Sequence, residues 1–120
     1  MRRLSLLVLV VPGLHGCLTG GCDNVVSQVV PSPGGVHDAV VFSLECGATS
    51  GFTTQLSIIR SGASLPNKPG NTLVLDDKVN LALTWAGDAE LVVAYSASST
   101  PFTKEAMVSD VRVRYAPQAL

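Results

Sequence analysis

A chain of 120 residues has room for one domain with a single core. Only 14 % of its residues are charged, 47 % are hydrophobic, and eight Lys and Arg stand against nine Asp and Glu, a net charge of −1. That balance excludes the basic surface a nucleic-acid-binding domain needs.

In chain order, the N-terminus comes first. Arg2 and Arg3 precede "LSLLVLVV", which is followed by Pro12, Gly13 and a small-residue stretch ending in cysteine. A positive start, a short apolar run and a small-residue cleavage zone predict a secretory signal over residues 1–21. The apolar run is too short for a membrane-spanning helix, which takes about 20 residues. Cleavage falls before Cys17 ("LHGC") or before Cys22 ("TGGC"), and either cysteine can accept the lipid of a bacterial lipoprotein. The rest, 22–120, reads as a single β domain. Loss of Arg2 and Arg3 leaves it six Lys and Arg against nine acidic residues.

The two cleavage points differ in what they leave. Lipidation of Cys17 leaves Cys22 and Cys46, an even pair in an oxidising compartment. Lipidation of Cys22 leaves Cys46 as a lone thiol. In the first case the staple closes a loop worth about 3 kcal/mol in the chain-entropy model.

The mature chain alternates short apolar runs with turn signals. "NVVSQVV" is β-branched and is followed by the turn "PSPGG". "VHDAVVFSLE" is a strand whose centre, "AVVF", is apolar throughout, the pattern of a strand covered on both faces. After "CGATSG", the run "FTTQLSIIR" alternates Phe52, Thr54, Leu56 and Ile58 with Thr53, Gln55, Ser57 and Ile59. A Pro- and Gly-rich loop leads to "TLVL", closed by Asp76 and Asp77. "KVNLALTW" puts Val79, Leu81, Leu83 and Trp85 on one face. "LVVAYS" is the next strand, "TKEAMVSD" has the composition of one helical turn, and "VRVRY" directs Val111, Val113 and Tyr115 inward. The expected fold is all-β: a small antiparallel meander or sandwich of about seven short strands. "SPGGVHDAVVF" and "WAGDAELVVAYS" share the local grammar of propeller blades, but two blades cannot close a propeller.

Chemistry finds little purchase. A nucleophilic Cys46 needs a base within hydrogen-bond reach, and the only mature histidine, His37, lies nine residues earlier on the same strand. That odd offset places the two on opposite faces. No serine sits in a nucleophile-elbow pattern. One histidine and two distant thiols make no zinc spacing, and Asp76-Asp77 reads as a solvated turn, so neither metal nor cofactor is expected. "CGATSGFTT" reads as a rigid, hydroxyl-rich loop, with Thr49, Ser50, Phe52 and Thr53 as a possible binding surface.

The series "CDNVV", "SPGG", "AVVF", "CGATSGFTTQLSI", "PGN", "LVVAY" and "VRVRY" is similar to a family of small bacterial envelope proteins of unknown function, over nearly the whole mature chain. The resemblance implies an envelope location, a β fold and a cysteine pair matching Cys22 and Cys46, and it implies no reaction. The expected function is therefore non-enzymatic: an exported β domain, lipid-anchored to a membrane or secreted, with a structural or binding role toward an envelope protein or a glycan. Two alternatives stand beside it. One is a periplasmic enzyme using Cys46 or a hydroxyl residue. The other is an accessory or inhibitor-like module that binds an envelope protein through a free strand edge.

Overall fold

The computed structural model describes residues 22–46, 51–96 and 100–117. Among them are nine strands: β1 (Asp23–Pro31), β2 (His37–Glu45), β3 (Thr54–Arg60), β4 (Leu73–Leu75), β5 (Ala82–Trp85), β6 (Glu90–Tyr95), β7 (Pro101–Lys104), β8 (Met107–Val108) and β9 (Val111–Pro117). They form a five-stranded sheet in the order β1-β2-β3-β4-β7 and a four-stranded sheet in the order β5-β6-β9-β8. The all-β expectation holds, with nine strands in place of about seven and two further differences. The stretch expected to form a helical turn supplies β7's end, a bend and β8. The sheet is also not purely antiparallel: β6 and β9 pair in parallel, Leu91 beside Val113 and Val93 beside Tyr115. A parallel neighbour needs a long crossover. Here it is residues 96–110, which leave the four-stranded sheet to lay β7 against β4 and then return.

The two sheets share one core. Ala39, Val41, Leu56, Ile58, Leu73 and Leu75 come from the larger sheet, and Leu91, Val93, Tyr95, Val111 and Val113 from the smaller. Period-2 alternation selects these residues in β6 and β9, whose polar residues face outward. Tyr115 reaches across the layers, its hydroxyl donating to the Glu105 carbonyl at 2.7 Å; burial raises its pKa above the usual phenol value.

β2 and β3 are covered on both faces, as "AVVF" suggests. Val40 and Phe42 are buried although they point away from the interlayer core. Their cover is the β3–β4 loop, residues 61–72, folded back over the outer face. Gly70 donates its amide to buried Gln55 Oε1 at 2.7 Å, Asn71 donates to Ser57 Oγ, and Asn24 on β1 donates to the Pro66 carbonyl. Asn71 extends the ladder with its side chain: Oδ1 accepts from the Ile58 amide and Nδ2 donates to the Ile58 carbonyl, each at 2.9 Å. Gly70 must be glycine, because a Cβ there would lie 2.7 Å from the Leu56 carbonyl oxygen.

Candidate functional site

The two ends of the sandwich are built differently. At one end, the β1–β2 turn meets the β5–β6 turn. Gly34 donates its amide to Asp88 Oδ1 at 2.7 Å, and a side chain at position 34 would collide with that carboxylate. The Ser32 hydroxyl and the Gly34 amide hold Asp88 in its charged form and lower its pKa below the usual carboxylate value. Ser32 Oγ also accepts the amides of Val36 and His37. Trp85 donates Nε1–H to the Val30 carbonyl at 2.8 Å and stacks on His37. The two segments of propeller-like grammar are thus in contact: each supplies one turn of the same clip.

At the other end, Cys22 and Cys46 form a disulfide that ties the start of β1 to the residue after β2. The pair that the cysteine arithmetic and the resemblance favour is therefore present. Beside the disulfide, a groove of about 290 Å³ lies between the larger sheet and the β4–β5 crossover. Val25 and Ser27 of β1, Val41 and Ser43 of β2, and Phe52 to Thr54 before and at the start of β3 form one wall. Lys78, Val79 and Asn80, in the β4–β5 crossover, form the other, with Glu45 at the rim.

The crossover is held over the groove by Thr54. Its buried hydroxyl donates to the Asp77 carbonyl at 2.7 Å and accepts from the Val79 amide at 2.8 Å. Asp77 turns the chain at φ 146°, a conformation rarely adopted by residues with a Cβ, and its Oδ1 accepts from the Lys78 amide. Lys78 then stands 5.4 Å over the face of Phe52, which is 55 % exposed. The outcome is an apolar floor with an aromatic–cation pair and a carboxylate at its mouth.

Of the loop residues expected to bind, Phe52 and Thr53 line the groove, whereas Thr49 and Ser50 lie outside the described residues, as do Cys17 and the whole 1–21 segment. Lys78 and Asn80 are site residues that the strand pattern hides, because "KVNLALTW" reads as one strand from Lys78. The strand begins at Ala82, and the signal for the detour is the pair Asp76-Asp77, a turn former placed before it. Among the described residues there is no cluster of three His, Cys, Asp or Glu side chains suited to a metal. Asp76 and Asp77 are exposed at this turn. His37 and Cys46 lie at opposite ends of β2, about 30 Å apart at the strand rise. With Cys46 in a disulfide, its sulfur is no nucleophile.

The hydroxyls of the groove are engaged inside the domain. Ser27 donates to the Val41 carbonyl, Ser43 to Glu45, and Thr53 accepts from Gln55 Nε2, in addition to the two bonds of Thr54. No family model, curated protein or solved structure matches the chain.

Proposed function

We propose that the protein is a non-enzymatic, exported binding domain of the cell envelope, tethered by a lipid on Cys17, that holds a polypeptide segment of a partner in the groove beside Phe52 and Lys78. The observation that carries this reading is the groove itself: an exposed aromatic and a cation over an apolar floor, fixed by the Thr54 bonds and the disulfide. A disulfide is compatible with an oxidising compartment, and no helix among the described residues is long and apolar enough to cross a membrane. Both agree with export and with anchoring by an acyl chain rather than by a helix. The resemblance to small envelope proteins points the same way.

Two features favour a polypeptide over a glycan. A sugar offers many hydroxyls that need partners, and Ser27, Ser43 and Thr54 already direct their O–H donors to groups of the domain. A volume of about 290 Å³ is at the small end for ligand sites and suits one or two side chains inserted from an extended segment. The test is a photo-crosslinking residue in place of Phe52 in living cells. Protein adducts that disappear when Lys78→Glu is added, with the thermal melt unchanged, support the reading. Adducts to cell-wall glycan, or adducts indifferent to Lys78, contradict it.

A further inference from the structure

Strand edges are where β proteins acquire unwanted partners, so they are normally short, charged or broken by proline. Three of the four edges here conform: β5 has four residues, β8 has two, and β7 begins with Pro101 and ends with Lys104. β1 is the least protected: its charge and its proline stand at its ends and a bulge lies at its centre, but it runs nine residues, pairs among the described residues only with β2, and between Asp23 and Pro31 carries no charge. Val25, Val26 and Val29 are 46 %, 49 % and 51 % exposed.

The centre of this edge is "VVSQVV", with valines placed symmetrically about Ser27 and Gln28. In a regular strand Val26 and Val29, three apart, point to opposite faces. The register of β1 slips between Val26 and Gln28. As a result Val26 lies opposite Phe42 and Val29 opposite Val40, both on the outer face, while Val25 and Val30 lie opposite Ser43 and Ala39 on the inner face. The bulge therefore makes the sequence symmetry a symmetry of faces.

From this we infer that β1 is a self-complementary edge and that its occupant is β1 of a second copy of this chain, antiparallel about a two-fold axis between Ser27 and Gln28. In that register Val26 of each copy meets Val29 of the other on the outer face, and Val25 meets Val30 on the inner face. Asp23 meets Ser32, so no like charges are opposed. An isologous contact requires this property, the same patch matching itself. A bulge that would misfit a regular foreign strand meets its own counterpart across the axis. The two five-stranded sheets become one continuous sheet. The proposal is argued from the edge and not from the groove's occupant, although Val25 and Ser27 belong to both.

A seam of one strand pair is at the small end of specific interfaces, so the dimer is expected to be weak, with a dissociation constant on the order of 10 µM. The test is sedimentation of the exported chain, as purified from cells in mild detergent, over a concentration series. Two double variants accompany it: Val26→Lys with Val29→Lys, and Val26→Glu with Val29→Glu. The wild type is expected to pass from monomer to dimer. Each variant alone opposes like charges and is expected to weaken the dimer at least about tenfold. The two variants mixed are expected to restore a heterodimer, because every Lys then meets a Glu. A wild-type chain that stays monomeric to about 1 mM overturns the proposal, as does dimerisation unchanged in either variant. The wild-type series decides the matter even if a variant fails to fold.

Discussion

The two ends of this sandwich solve the same problem in different ways. At the clip end, polar groups on two turns satisfy one another: Asp88 takes the Gly34 amide, Ser32 takes two amides, and Trp85 reaches Val30. At the disulfide end, a groove opens between the larger sheet and the β4–β5 crossover, Thr54 holds the crossover, and the disulfide ties β1 to its neighbour β2. Satisfying backbone groups locally closes a β-sandwich. Beside the groove, the disulfide adds a covalent tie between β1 and β2 within the larger sheet. It also gives Cys46, at the start of the "CGATSGFTT" loop, a structural role.

The largest effect should come from removing the constraint. Cys46→Ser is expected to cost about 3 kcal/mol by chemical denaturation, since the closed loop spans 24 residues of sequence separation. β1 should open first, seen as hydrogen exchange rising there before anywhere else, because it is an edge strand whose side chains are mostly exposed. At the clip end, Trp85→Ala should cost about 2.5 kcal/mol, because the ring is only partly buried, whereas Trp85→Phe, which keeps an aromatic ring but loses the bond to Val30, should cost about 1 kcal/mol. A Trp85→Ala loss larger than that of Cys46→Ser would reverse the comparison.

Thr54→Val should fall between these two at about 2 kcal/mol, because it leaves the Val79 amide and the Asp77 carbonyl without their partner. It should also loosen the crossover, so Lys78 would lose its position over Phe52. Asp88 gives the clip a pH dependence of known sign. Its pKa is lowered from 3.8 on folding, so its contribution is complete well above 3.8 and is lost as the pH falls through the lowered value. Thermal melts of wild type and Asp88→Asn should differ near neutral pH and converge in strong acid. Smallest of all, Phe52→Ala should change stability by less than about 0.5 kcal/mol, since the ring is largely exposed, while removing partner capture. A large loss of stability there would make the groove a structural feature.

Much of the larger architecture is legible in the sequence, because it rests on period-2 patterns. "VRVRY" places Val111 and Val113 inside and both arginines outside, and Val79 to Trp85 alternate as expected even where the chain is not yet a strand. The apolar centre of β2 announces cover on both faces. What supplies that cover is not legible: nothing in "SGASLPNKPGN" says that it folds back, and the polar residues Gln55 and Ser57 are buried under it by hydrogen bonds to Gly70 and Asn71. The parallel pairing of β6 with β9 is likewise hidden, since side-chain alternation carries no strand direction. The candidate site was half legible. Phe52 and Thr53 stand out as an exposed aromatic and a hydroxyl beside a cysteine, but Lys78 enters only through a turn at Asp77, and Val25 and Ser27 only through strand pairing.

The central claim is that β1 is tied to β2 through Cys22 and Cys46, which leaves Cys17 for the proposed anchor. The most direct test is the intact mass of the protein isolated from bacterial membranes, alkylated before and after reduction. The account predicts a lipid-modified chain beginning at Cys17 that takes up alkyl groups on Cys22 and Cys46 only after reduction. A chain beginning at a lipidated Cys22, with Cys46 alkylated without reduction, would contradict it.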